Sequence, residues 1–173
     1  MWTKAIPRLC VGGGAKNLEG RYRYGFVNFA TKDLGGTGMG LNHEYEMVKH
    51  FHRMFQAPYR DTPAVLDRDR VEKRYKWMLE EINEFYEADA LVDQADAMID
   101  LIYFALGTLV EVGVEPQRLF EIVQQANMSK LWPDGKPHYN EDNKVIKPAG
   151  WKSPEPELEA EILRQMAGCL QED

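Results

Sequence analysis

Between residues 43 and 170 the apolar positions recur every three or four residues, and the breaks fall at Pro, Gly and Asp, as in a succession of amphipathic helices. The first stripe is Tyr45, Val48, Phe51, His52 and Phe55, with Asn42 or His43 as the capping residue and a stop before Pro58. Thr62-Pro63 and Asp67 introduce a longer helix in which Val71, Tyr75, Met78, Ile82, Phe85 and Tyr86 recur at helical spacing. Its opposite face carries Glu80, Glu84 and Glu87, with Glu81 on the flank. After a break at residues 89–92, a third helix is expected over residues 93–112, closed by Gly113 as a C-cap. Residues 98–106 are apolar nearly all round except for Asp100, the pattern of a helix buried on most sides. Glu115-Pro116 opens a fourth helix bearing Leu119, Phe120, Ile122, Val123 and Met128, which ends near Leu131-Trp132-Pro133. Residues 157–170 form a closing helix with Leu158, Ile162, Leu163 and Met166 inward.

Two segments break this pattern. Residues 1–42 hold nine of the fourteen glycines and the alternating run Arg21-Tyr22-Arg23-Tyr24-Gly25-Phe26-Val27-Asn28-Phe29, which suits a strand or hairpin. Residues 134–156 begin with the turn Asp134-Gly135-Lys136-Pro137 and contain only short strand-like pieces such as Lys144-Val145-Ile146-Lys147. The expected architecture is therefore all-α: a helical bundle core of four to five helices over residues 43–173, with a short β-like Gly/aromatic extension over residues 1–42.

Composition narrows the function classes. A chain of 173 residues with 28% charged and 44% hydrophobic residues supports one compact domain. Its net charge of −7 argues against nucleic-acid binding, which draws on clustered Lys and Arg. An acidic protein that handles phosphates needs a cation between itself and its substrate. Cys10 and Cys169 show no C-x-x-C spacing and read as ordinary thiols of a reducing compartment. The start of the chain lacks a secretory apolar stretch and no run is long enough to span a bilayer, so the expectation is a cytoplasmic protein without a membrane partner.

The chemistry concentrates in carboxylates. In Glu80-Glu81-Ile82-Asn83-Glu84 several acids leave one surface of a helix, which alone reads as a solvated face. Asp96 and Asp100 stand one turn apart on the next helix, where Asp100 precedes Leu101-Ile102-Tyr103-Phe104-Ala105-Leu106. A carboxylate in such a setting needs a cation, and no Lys or Arg occurs between Leu79 and Glu115. Either an Arg arrives from another helix or subunit, or a metal binds. Two carboxylate clusters on consecutive helices would face each other across a helix hairpin, and hard oxygen donors without His or Cys suit Mg²⁺ or Mn²⁺. A ferritin-like di-iron site wants Glu-x-x-His on its helices, and no His lies near either cluster. The runs Gly12-Gly13-Gly14 and Gly35-Gly36-Thr37-Gly38-Met39-Gly40 lack the Gly-Lys-Ser/Thr ending of a phosphate loop.

Glu80-Glu81-Ile82-Asn83-Glu84, then Ala95-Asp96-Ala97-Met98-Ile99-Asp100-Leu101-Ile102-Tyr103, then Asn127-Met128-Ser129-Lys130 resemble the MazG-like, all-α nucleotide pyrophosphatase superfamily. The likeness runs from His43 to Trp151 and is in particular to small phage and bacterial members, with Phe51-His52 near the start and Lys147-Pro148 near the end. It implies Glu81, Glu84, Asp96 and Asp100 as ligands of Mg²⁺, with Mn²⁺ able to substitute, and Glu80 as the base or a further ligand. It implies Asn127 and Lys130 as contacts to the sugar or phosphates. Lys136, Lys144 and Lys147 of the tail read either as donors that close over the triphosphate or as solvated loop charges. One departure is present: the superfamily has Glu three residues before the second-helix Asp, where this chain has Ala97, with Asp96 one place earlier. The implied reaction is metal-dependent hydrolysis of a (deoxy)nucleoside triphosphate to the monophosphate and pyrophosphate, in a homodimer or homotetramer. Purine deoxynucleotides are the substrates of one phage branch, MazZ, and for such a protein the compartment is the host cytoplasm. A phosphoribosyl-ATP pyrophosphohydrolase shares this chemistry; a non-catalytic helical interaction module does not.

Overall fold

The computed structural model describes residues 40–168, which form five helices: α1 (Leu41–Met54), α2 (Arg68–Glu87), α3 (Leu91–Val112), α4 (Pro116–Met128) and α5 (Glu155–Gly168). Among the described residues there is no strand, only an isolated bridge between Tyr139 and Val145. The fold is therefore all-α as expected, while the hairpin expected at residues 21–29 lies outside the described residues. The most extensive helix contact joins α2 and α3; α1 packs on α3, and α4 packs on α1 and α5. Tyr45 and Val48 of α1 meet Leu106 and Val110 of α3 in the buried core, flanked by Leu41 and Leu109. Full burial of such side chains stabilises by about 1.5–3 kcal/mol each.

Local chemistry sets the helix ends. The Asp67 side chain accepts from the Arg70 backbone N–H at 2.8 Å and starts α2. At the end of α3, Gly113 takes left-handed backbone (φ 71°, ψ 33°), and a Cβ there would stand 2.6 Å from the Thr62 carbonyl oxygen, so only glycine fits. The loop after α1 covers the same end: Arg60 N–H donates to Val110 O at 3.1 Å and Ala64 N–H to Val112 O at 2.9 Å. Asn42 does not cap α1, whose N-cap is Gly40. Instead Asn42 Oδ1 accepts from Gln117 N at 2.9 Å while Gln117 Oε1 accepts from Leu41 N at 2.6 Å, a reciprocal cap that ties α1 to α4.

The apolar stripes are the main surprise. On α2, Val71, Tyr75, Ile82, Phe85 and Tyr86 are exposed, and the side turned to α3 carries Arg70, Arg74, Trp77, Glu81 and Glu84. Helix α3 begins at Leu91, two residues before the expected start, and exposes Leu91, Val92, Ile99, Ile102 and Tyr103, so this chain by itself does not bury it on most sides. On α5, Leu163 and Met166 are exposed, contrary to expectation, and the buried residue is Glu161, which accepts from Arg164 at 2.6 and 2.7 Å. Among the described residues no single helix is long and apolar enough to cross a membrane.

Candidate active site

Helices α2 and α3 meet along an antiparallel ladder with steps of four and three residues on both sides, the spacing of a coiled-coil seam. Arg70 grips Glu111 with two bonds, Nε to Oε2 at 2.5 Å and Nη2 to Oε1 at 2.6 Å. One step on, Arg74 lies against Gly107. Next, Trp77 stacks on Phe104 with centroids 5.9 Å apart and planes 25° apart. Beyond that aromatic layer the seam turns acidic, bringing Glu81 into the field of Asp100.

Glu81 is 1% exposed, and neither of its carboxylate oxygens has a hydrogen-bond partner. Burial, then the charges of Glu84, Asp100 and Glu80, push its carboxyl above the usual range. Half-buried Asp100 is pushed up in the same way, by burial and then by Asp96 and Glu84. Glu81, Glu84, Asp96 and Asp100 thus form one electrostatic group, with Glu80 exposed at its edge. The arginines of the seam, Arg70 and Arg74, pair with Glu111.

As placed, no three His, Cys, Asp or Glu side chains among the described residues stand close enough to hold a metal ion. The four acids are gathered within one another's field but not at ligand distance. Two orphaned oxygens on a buried carboxylate, with three further carboxylates beside them, are nevertheless the donor chemistry that Mg²⁺ takes. The residues fit such an ion in type and neighbourhood, with rotation of the Glu84, Asp96 and Asp100 side chains needed to close on it.

The expected substrate-binding residues occupy a different packing. Lys130 Nζ donates to Asn127 Oδ1 at 2.7 Å, and Lys147 Nζ lies 3.9 Å from the centre of the Trp151 ring, with Lys130 at 5.9 Å. Trp151 Nε1 donates to Ala126 O at 3.0 Å, which pins the tail to the end of α4. Asn127, Lys130 and Lys147 therefore converge beside a cleft of about 510 Å³ lined by Ile122, Ala126, Trp132, Pro148 and Trp151. Lys144 stands apart on the exposed tail, its backbone N–H bonded to Asn140 Oδ1. Acids and lysines thus sit on separate helix packings, the first on α2 and α3, the second on α4 and the tail.

Sequence reasoning missed the basic end of the seam. Arg74 and Glu111 are buried, and so is His52, whose Nδ1 donates to Pro58 O at 2.6 Å. Burial, and then the neighbouring Arg74 charge, lower the His52 pKa against the raising effect of its bond to Pro58 O. The available signal was that Arg70, Arg74, Trp77, Glu81 and Glu84 share the four-and-three spacing of a second stripe.

The family model for phosphoribosyl-ATP pyrophosphohydrolase matches residues 48–127, from within α1 to the end of α4. A solved structure of a protein from Exiguobacterium sp. 255-15, provisionally described as an NTP pyrophosphohydrolase, is 39% identical, and the match covers 72% of this chain and 96% of that one, with a TM-score of 0.45. No curated protein matches.

Proposed function

Since the chain belongs to the MazG-like, all-α nucleotide pyrophosphohydrolases, we propose that it hydrolyses a (deoxy)nucleoside triphosphate to the monophosphate and pyrophosphate, using Mg²⁺ held by Glu81, Glu84, Asp96 and Asp100. The observation that carries this reading is Glu81, a buried carboxylate with two orphaned oxygens facing further acids. An uncompensated charge of this kind is costly unless a cation completes it.

Mg²⁺, when bound, offsets the charge of the phosphate oxygens and makes water a better nucleophile. The chain supplies the rest. Glu81 from α2 and Asp100 from α3 would hold the ion together with Glu84 and Asp96. Glu80, exposed beside Glu81, accepts the proton of the water that attacks the α-phosphorus. Asn127, Lys130, Lys144 and Lys147 are the proposed contacts to sugar and phosphates; because they lie at the end of α4 and on the tail, substrate binding must bring that packing to the phosphates held at the α2–α3 seam before the lysines can donate to oxygens that gain charge as pyrophosphate leaves. Purine deoxynucleotides are the proposed preference. The family match gives phosphoribosyl-ATP a claim as the second candidate.

A nucleotide panel incubated with Mg²⁺ and resolved by chromatography tests this. Monophosphate and pyrophosphate should appear together as primary products, and diphosphate with orthophosphate would refute attack at the α-phosphorus. EDTA should abolish turnover and Mg²⁺ or Mn²⁺ restore it; restoration by Zn²⁺ alone would contradict an all-oxygen site. Turnover of phosphoribosyl-ATP in preference to every triphosphate selects the second candidate.

The exposed apolar side chains of α2, with Ile99 and Ile102 of α3, support a homodimer or homotetramer, because so many large apolar groups left uncovered on neighbouring helices point to an interface. Phe85→Asp should shift the sedimentation coefficient toward the monomer. An unchanged assembly would place the interface elsewhere.

A further inference from the structure

Two helices joined by a ladder of interchangeable apolar residues can slide past each other, whereas polar pairs at single positions fix the register. The basic end of the α2–α3 seam is of the second kind, with Arg70 paired to Glu111 and Arg74 buried beside them. We propose that Arg74, seated against Gly107 and held by Glu111, is a positioning residue that fixes the register in which Glu81 faces Asp100. The inference rests on the metal-site reading above and adds to it the device that holds the site in place.

The Arg74 side chain is only 5% exposed. Its Nε donates to Thr108 Oγ1 at 3.1 Å, its Nη2 donates to Phe104 O at 3.2 Å, and Glu111 Oε1 lies 3.4 Å from Nε. Thr108 Oγ1 in turn donates to Phe104 O at 2.8 Å, so this corner of α3 is fully engaged. The guanidinium fits because Gly107 has no side chain: a Cβ there would collide with Arg74 Nη2 and stand 3.1 Å from His52 Nε2. Glycine in a helix interior costs about 1 kcal/mol relative to alanine, so its presence here needs a reason of this kind.

Glu81 lies seven residues beyond Arg74, and Asp100 seven residues before Gly107, two turns along each helix from the same contact. A slip of one turn would displace Glu81 by about 5.4 Å. A cation that takes oxygens at about 2.1 Å does not tolerate that error. A slip of two turns would bring Arg74 itself opposite Asp100 and neutralise the acids. Glu111 opposes that slip by binding both arginines at the far end of the seam.

Mn²⁺ titration followed by electron paramagnetic resonance of the free ion provides the test, alongside kcat, KM and thermal melting in EDTA. Gly107→Ala and Arg74→Met should each weaken Mn²⁺ binding about tenfold and lower kcat with little change in KM. The double variant should be no worse than Arg74→Met, because both changes disable one device. Arg74→Met leaves Glu111 paired with Arg70, so it carries the test if Gly107→Ala does not fold, and Arg74→Lys, which keeps the charge, should recover part of the affinity. A folded variant with a lowered melting temperature but wild-type Mn²⁺ affinity makes Arg74 merely structural and overturns the proposal alone. Wild-type protein that binds no Mn²⁺ overturns the metal-site reading, and this proposal with it.

Discussion

Asp100→Asn should leave the metal-free protein at least as stable as wild type while lowering turnover by orders of magnitude. Asp100 feels Asp96 and Glu84, and Glu81 feels Asp100, so removing one charge relieves repulsion on both helices. The pH dependence carries the same signature. Glu81 and Asp100 have folded-state pKa values raised above 4.5 and 3.8, so the folded protein binds their protons more tightly than the unfolded chain. The destabilisation from these two groups is full above their folded pKa values and fades as pH falls through them toward 4.5 and 3.8. His52 acts in the opposite sense: its pKa is lowered from 6.5, so its contribution is present above 6.5 and is lost as pH falls from there through the folded value. Comparing wild type with Asp100→Asn at each pH cancels the histidine and isolates the carboxylates. Melting in EDTA should show the variant's advantage at pH 7 shrinking toward pH 4. Excess Mg²⁺ should raise the wild-type midpoint and barely move that of the variant, since a ligand present at 100 times its Kd stabilises the state it binds by about 2.7 kcal/mol. A variant that melts far below wild type in EDTA would show that Asp100 holds a structural partner.

The helices were legible in the sequence because periodicity and caps are local. Asp67, Pro116 and Gly113 mark the ends of α2, α4 and α3 in the structure as they do in the sequence. Orientation was not legible in the same way. The α2 sequence carries two stripes, one apolar (Val71, Tyr75, Ile82, Phe85) and one mixed (Arg70, Arg74, Trp77, Glu81, Glu84). Hydrophobicity alone assigns the first to the core, yet the chain turns the second inward, because Glu111 satisfies the arginines and the Trp77–Phe104 stack fills the gap between them and the acids. An apolar stripe shows that a surface will be covered, not whether the same chain covers it. Asp100 illustrates this point: the premise that α3 is buried on most sides fails at Ile99 and Ile102, while the neighbours of Asp100 are still carboxylates. The Asn127 and Lys130 pair could be read from its spacing, but its place at the C-terminal end of α4 and in the turn after it, away from the α2–α3 seam, depends on the α1–α4 and α4–α5 packings that no local motif encodes.

Glu111→Gln should be among the most destabilising isosteric changes in the chain. The Glu111 side chain is fully buried between Arg70 and Arg74, and the Arg74 guanidinium is nearly so. Removing the charge while keeping the shape strands Arg74 in the interior, a change that costs about 3–5 kcal/mol for a buried pair. For a domain of this size the loss corresponds to a melting temperature lower by roughly 10–20 °C. Glu72→Gln is the control, because Arg68 and Glu72 form an exposed pair four residues apart on α2, worth about 0.3–0.5 kcal/mol. The double variant Arg74→Met/Glu111→Leu should recover most of the loss, since apolar side chains of similar volume replace buried charges at little cost and Arg70, at 21% exposure, can turn toward water. Thermal and urea melts of the four proteins decide the matter. If Glu111→Gln melts within a degree or two of Glu72→Gln, water must reach the arginines, and the basic end of the seam would be open to solvent.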